Sequence, residues 1–253
     1  MTALAALLTA GTVMIGNASA QIWAFNYASA DFGLSGSAFS INYNVANPND
    51  AIVIGLYVDN GNSAINSLTY NSVSPTGSIP AGSGRLSLFY FAKPATGAST
   101  FSGTTAQASQ SNCGYSIWEL AGVDLTAPVA TSAPIPSLSG ATTITTTAAN
   151  SFIIDELGLN NGGNPSGPDG DSVLTKIGEV DLASTAGGGY MATGTATGAT
   201  AGTYNLGWTP SGGSYVGETA LAFAPTTVPE PSTLALASLS GVAFLLAIRR
   251  QKK

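Results

Sequence analysis

Two carboxylates sit inside segments that otherwise read as β-strand: Glu119 in Tyr115–Ala121 and Glu218 in Tyr215–Phe223. Facing one cleft, such a pair would suit glycoside hydrolysis, one group as general acid and the other as base or nucleophile. A Glu-x-Asp-x-x-Glu run, which would carry a pair on a single strand, does not occur. Asp155 and Glu156 are adjacent, so on a strand they point to opposite faces. The competing reading puts these acids on the solvent face of half-exposed strands, and no residue is assigned a catalytic role. Histidine is absent, which excludes histidine triads, histidine general bases and histidine metal sites. Cys113 is the single cysteine, so no internal disulfide forms, and no base lies near it in sequence. It reads as a small buried hydrophobe.

Asn160–Asp171 is a long polar stretch in which Asp169 and Asp171 alternate as the oxygen ligands of a calcium loop do. The further acids and the terminal Glu of a full loop are lacking, so a plain surface loop is the default and calcium the one cofactor in view. Trp23, Trp118 and Trp208, with Tyr57, Tyr70, Tyr90, Tyr190, Tyr204 and Tyr215, supply either a sugar-stacking platform or cross-strand core packing. Trp208 and Tyr215 flank a Gly-rich turn. They are the pair expected at the surface, and so the glycan candidates.

Short strands must position these groups. Strand character recurs at Ile22–Tyr27, Ala38–Val45, 52–58, 86–91, Thr100–Gln107, Tyr115–Ala121, Thr142–Thr147, Phe152–Leu159, Val173–Leu182, Gly202–Trp208 and Tyr215–Phe223. Leu86, Leu88 and Tyr90 alternate with Phe89 and Phe91, which makes that strand apolar on both sides. Turn chemistry separates the strands at 47–50, 59–62, 79–82 and 162–165. Ala127–Pro136, with three prolines, reads as a crossover between sheets. Gly187–Gly202 reads as a weak edge strand and loop. No helical period appears between the two ends, so the pattern predicts a sandwich or jelly roll.

The seven basic residues are unevenly placed. Arg249, Arg250, Lys252 and Lys253 close the chain, and only Arg85, Lys93 and Lys176 lie within residues 21–230, against all thirteen acids. That segment therefore carries a net charge of −10. Nucleic acid is excluded as a partner, because phosphate binding needs clustered Lys and Arg.

Both ends read as addresses. Leu4–Ile15 is apolar and Ala18-Ser19-Ala20 is a small-residue cleavage site, so residues 1–20 are expected to be a helical signal peptide. No Lys or Arg precedes the apolar run, which fits a start codon further upstream. Near the other end, Val228-Pro229-Glu230-Pro231 combines two donor-less, φ-fixed prolines with residues biased to extended geometry. Thr233–Ile248 follows, without charge or proline and apolar on every side. Its sixteen residues reach about 24 Å as a helix, short of a hydrocarbon core of roughly 30 Å. Snorkelling of Arg249 and Lys252 makes up the difference. The basic cluster keeps the C-terminus on the cytoplasmic side and the bulk of the chain outside.

Motif, short apolar helix and basic cluster, in that order over 227–253, resemble the PEP-CTERM sorting signal of Gram-negative bacteria. The resemblance implies an exosortase-like enzyme as partner and an inner-membrane anchor in transit. It also implies release or re-anchoring at the cell surface, in the company of exopolysaccharide. A second resemblance rests on Ser67–Tyr70, Leu88–Gly97, Ile117–Asp124 and Ala220–Pro225, which are similar to secreted bacterial β-sandwich domains of unassigned activity. The expected fold is thus an all-β, jelly-roll-like two-sheet sandwich over 21–226, between a signal helix and a C-terminal transmembrane helix at 233–248. The expected function is an exported cell-surface or extracellular-matrix protein with a structural or adhesive role, not an enzyme. Two alternatives stand beside it: a calcium- or glycan-binding module, and a jelly-roll glycoside-active enzyme using Glu119 and Glu218.

Overall fold

A computed structural model describes residues 17–19, 21–32, 34, 36–45, 51–58, 64–81, 84–106, 113–125, 130–131, 142–160, 164–168, 170, 172–182, 189–211 and 214–229. The strands are, in chain order, β1 (Asn17–Ser19), β2 (Trp23–Phe32), β3 (Ala38–Val45), β4 (Ala51–Val58), β5 (Ile65–Tyr70), β6 (Gly77–Pro80), β7 (Leu86–Ala92), β8 (Gly97–Thr105) and β9 (Cys113–Ala121). There follow β10 (Ala130–Thr131), β11 (Thr143–Thr146), β12 (Ser151–Asn160), β13 (Asn164–Pro168), β14 (Thr175–Asp181), β15 (Tyr190–Gly198), β16 (Gly202–Asn205), β17 (Trp208–Ser211), β18 (Ser214–Phe223) and β19 (Thr227–Pro229). The described residues contain no helix, and so none long and apolar enough to cross a membrane.

Two compact units emerge. In one, β1 and β19 form an antiparallel ribbon, with Ala18 opposite Val228. Asn17–Ser19, expected inside the signal helix, are therefore strand. The apolar run 4–15 and the segment 233–248 lie outside the described residues.

The other unit, Gln21–Thr226, is built from three main antiparallel sheets rather than two. An outer sheet has the order β3-β8-β5, a central sheet β2-β9-β4-β7-β6, and an inner sheet β10-β18-β12-β15-β14. The pairs β11-β16 and β13-β17 add short ribbons. Side-chain alternation on the central strands explains the stacking. Ile52, Ile54 and Leu56 of β4 pack with Phe89, Phe91 and Ile117 against Phe39, Ile41 and Phe101 of the outer sheet. Ala51 and Val53, on the other face of β4, pack with Leu88, Trp118 and Leu120 against Ile154, Leu221 and Phe223 of the inner sheet. All eight residues of β4 are buried as a result. Burying each such side chain contributes about 1.5–3 kcal/mol.

The inner sheet is also covered on its far side. Ile153, Leu157, Leu159 and Ala220 pack there against Ile144, Leu174, Leu206 and Trp208. A strand apolar on both faces needs a layer on each side, and a two-sheet sandwich supplies only one. The two-sheet expectation is corrected on this ground, while the all-β class stands.

β15 is a second correction. Its sequence, Tyr190–Gly198, was expected as a weak edge, but it pairs with β12 and β14 and lies inside the sheet. Its small residues let bulky groups approach: a side chain at Gly194 would meet the Trp208 ring within 2.9 Å. Ala127–Pro136, expected as a crossover, contributes β10 at Ala130–Thr131 to the edge of the inner sheet.

Gly55 sets the spacing between the central and inner sheets. A Cβ there would lie 2.8 Å from both Glu156 Oε1 and Ser116 Oγ. Gly55→Ala is expected to destabilise the fold by about 1–3 kcal/mol, read as a lower urea midpoint with an unchanged slope. An unaltered midpoint would show that the sheets do not meet this closely.

Candidate functional site

Four carboxyl side chains that lie on strands are withdrawn from solvent: Glu119, Asp155, Glu156 and Glu218. The solvent-face reading of these acids is therefore corrected. Each sits on a strand covered on both sides, so strand alternation moves it from one apolar layer to another and never to water.

Glu119 lies between the outer and central sheets. Its Oε1 accepts from Tyr43 Oη at 2.7 Å and from Asn26 Nδ2 at 3.3 Å, and the same Asn26 amide donates to Tyr43 Oη at 3.0 Å. Burial, and then the Glu119 carboxyl, push the Tyr43 phenol well above its ordinary range. Glu156 lies between the central and inner sheets. Thr193 Oγ1 donates to its Oε2 at 2.7 Å, and Ser116 Oγ donates to its Oε1. Burial pushes Glu156 up to about 8, although the two hydroxyl donors pull the other way.

Asp155 and Glu218 share the far face of the inner sheet. Trp208 Nε1 donates to Asp155 Oδ2 at 2.5 Å, and Tyr215 Oη donates to Glu218 Oε2 at 3.1 Å. Burial, then the neighbouring Glu218 charge, hold Asp155 well above the usual carboxylate range. Burial, then Glu218, push the Tyr215 phenol up as well. These two carboxyl groups are neighbours because Asp155 pairs with Ala220, two residues from Glu218 along β18.

Glu119 and Glu218 are not brought together. The central sheet and the inner sheet stand between them, so the glycosidase pairing is corrected: a pair working on one bond needs about 5–9.5 Å and a shared cleft. The glycan candidates are corrected too. Trp208 is only 6 % exposed and packs in the core of the far layer, with Tyr215 partly buried against it. The Gly-rich turn beside them suggested exposure, but the carboxyls of Asp155 and Glu218 draw both polar tips inward. Asp169 and Asp171 lie outside the described residues. Among the described residues, no group of three or more His, Cys, Asp or Glu side chains could hold a metal ion. Cys113 is buried, as expected of a small hydrophobe.

The outer sheet presents a different surface. β3, β8 and β5 contain no charged residue. Their inward positions are mostly apolar, with Ser99 and Thr105 buried among them, and many outward positions carry hydroxyls and amides in register. Ser40 faces Ser102, Asn42 faces Thr100, and Ser67 faces Thr104. A cleft of about 360 Å³ opens at one end of this sheet, lined by Asn42, Tyr43, Asn44, Asn71, Ser99 and Thr100.

Its walls are fixed. Asn71 Nδ2 donates to Ser99 Oγ at 2.8 Å, and Asn71 Oδ1 accepts from the Thr100 backbone N–H at 3.2 Å. Asn71 and Ser72 both have positive φ, at 49° and 67°, as the tip of a two-residue hairpin between Tyr70 and Val73 requires. Asn42 Oδ1 accepts from Thr100 Oγ1 at 3.2 Å. Strands at Ala38–Val45 and Thr100–Gln107 were readable in the sequence. Which face met water, and the hairpin that closes the cleft, were not.

A layered, antiparallel all-β domain with a polar, uncharged outer face is the class that fold and site define. The tail adds the address: residues 227–251 match the family model described as the PEP-CTERM protein-sorting motif. The chain therefore carries a PEP-CTERM sorting motif, the signal processed by exosortase-type enzymes, which marks it as a membrane-transiting protein exported to the cell surface. No curated protein and no solved structure matches the chain. Of the motif, the structure describes Val228 and Pro229 as strand; Glu230, Pro231 and the basic cluster Arg249, Arg250, Lys252 and Lys253 lie outside the described residues.

Proposed function

We propose that this chain is a non-catalytic structural or adhesive protein of the cell surface, delivered by an exosortase-type system and held among neutral extracellular polysaccharide. The observation that carries the reading is the sorting motif at 227–251 joined to a domain whose outer sheet is uncharged. The non-catalytic part is supported by the burial of Glu119, Asp155, Glu156 and Glu218, and none of the four lines the cleft of the outer sheet. An acidic domain without exposed basic clusters repels acidic polymers, and an uncharged, hydroxyl-rich partner avoids that repulsion.

Intact-mass measurement of the protein recovered from medium and envelope tests delivery. The expected masses begin at Gln21 and end short of Arg249–Lys253. Recovery of surface protein that still carries Arg249–Lys253 would reduce the tail to a simple anchor.

A further inference from the structure

We propose that the cleft at the end of the outer sheet, together with the aromatic edge beside it, is a binding site for a neutral, hydroxyl-rich polysaccharide. This rests on the surface role argued above and assigns its partner to particular side chains.

The cleft divides its polar groups into two sets. Asn71, Ser99 and the backbone of Thr100 satisfy one another and set the shape. Asn42 Nδ2 and both polar atoms of Asn44 have no hydrogen-bond partner among the described residues, and both residues are exposed. An amide presents two donors and an acceptor with two lone pairs, which matches a sugar's paired hydroxyls, each both donor and acceptor. A rigid frame holding free amides loses little freedom on binding. The volume of about 360 Å³ falls within the ordinary range of small-ligand sites, roughly 300–1,000 Å³.

The aromatic edge is the second observation. Trp23 is 58 % exposed and Phe25 is 53 % exposed, both on β2, an edge strand of the central sheet among the described residues. Large side chains left this bare on a strand are the informative kind of surface apolar residue. β2 is tied to β3, which lines the cleft, through a side-chain hydrogen bond. Asn26 follows Phe25 directly, and its amide bonds Tyr43, which lines the cleft. At about 3.3 Å per residue, Trp23 stands on the order of 10 Å from Asn26. Strand alternation turns Tyr43 toward the central sheet and Asn42 and Asn44 away from it, so a polymer that meets both the free amides and the β2 aromatics passes round the edge of β3. Neutrality follows from charge. The three strands of the outer sheet carry none, while the segment 21–230 carries −10, so an acidic glycan meets net repulsion and a neutral one does not.

The test uses processed protein from the producing cells and that strain's own extracellular polysaccharide, split by anion exchange into neutral and acidic fractions and immobilised. Wild-type protein is expected to be retained on the neutral fraction at 150 mM salt and to pass through the acidic one. The double variant Asn42→Ala/Asn44→Ala and the single variant Trp23→Ala are each expected to bind about tenfold more weakly, with melting temperatures unchanged. Thr203→Ala, in the far layer, is expected to bind as wild type. Retention on the neutral fraction that both cleft and edge variants keep in full would overturn this site and leave the surface role standing. Retention on neither fraction, or on the acidic one alone, would remove both the site and the adhesive role. Concentration-dependent dimers in light scattering, abolished by the same substitutions and seen without glycan binding, would reassign the surface to a second copy of the chain.

Discussion

Acidification from pH 8 to pH 5 is expected to stabilise the domain by about 3–4 kcal/mol through Glu156 alone. Its carboxyl sits at about 8 in the folded protein against an ordinary 4.5, because burial between two sheets penalises the charged form. Between those values the folded state holds a proton that the unfolded chain has released. The free energy of unfolding therefore falls as pH rises. The stabilisation is complete below about 4.5, is lost progressively as pH climbs through 8, and stays lost above it. Asp155 acts in the same direction, since burial and Glu218 raise it as well. Urea titrations at pH 5, 6.5, 8 and 9 read the effect. Glu156→Gln, which keeps hydrogen-bonding atoms near Ser116 and Thr193, is expected to flatten much of the slope and to be more stable than wild type at pH 8. General relief of surface repulsion has the same sign, but Glu156→Gln leaves it untouched. A slope identical in wild type and variant would therefore refute the assignment to Glu156.

Trp208→Ala separates a core role from a ligand-binding one. Trp208 fills the far layer of the inner sheet, and its indole N–H bonds Asp155. Removing the ring is expected to cost about 3–5 kcal/mol. In a domain of this size that lowers the melting temperature on the order of 10 °C. The loss also strips a buried carboxyl of its donor, which adds to the cost. Thermal unfolding followed by circular dichroism provides the measurement. A variant as stable as wild type would return Trp208 to the surface and reopen its reading as a glycan platform.

Much of the strand pattern was legible in the residues. Ala38–Val45 was read with the bounds the structure shows, because apolar and polar side chains alternate over a half-exposed strand. The two-faced apolar strand at Leu86–Phe91 was legible too, but it was placed in a two-sheet sandwich, and the third layer that burial on both faces requires came only from the structure. β15 escaped because Gly, Ala and Thr give little apolar signal, yet small residues are what its packing against Trp208 demands.

The site was less legible than the fold. Glu119 and Glu218 were conspicuous as acids in strands, but strand periodicity assigns a face and never says what covers it. Trp208 and Tyr215 looked exposed because turn residues flank them, and only the inward-facing carboxyls of Asp155 and Glu218 reverse that. The cleft joins Asn42 and Asn44 of one strand to Asn71 at a hairpin tip, a union of distant segments that no local pattern encodes.

The sequence by itself determined the destination and the chemistry on offer. A sorting signal is read by its processing enzyme as a linear order of residues, so Val228–Pro231, the apolar run and the basic end declare it without a fold. Absent histidine and one cysteine limit the chemistry in the same way, because composition needs no coordinates. Only the tertiary structure decided which polar groups meet water. Exposure depends on the number of layers stacked over a strand, which is set by long-range packing of both its faces. That stacking hides the four carboxyl groups and leaves Asn42 Nδ2 and the amide of Asn44 free at the surface.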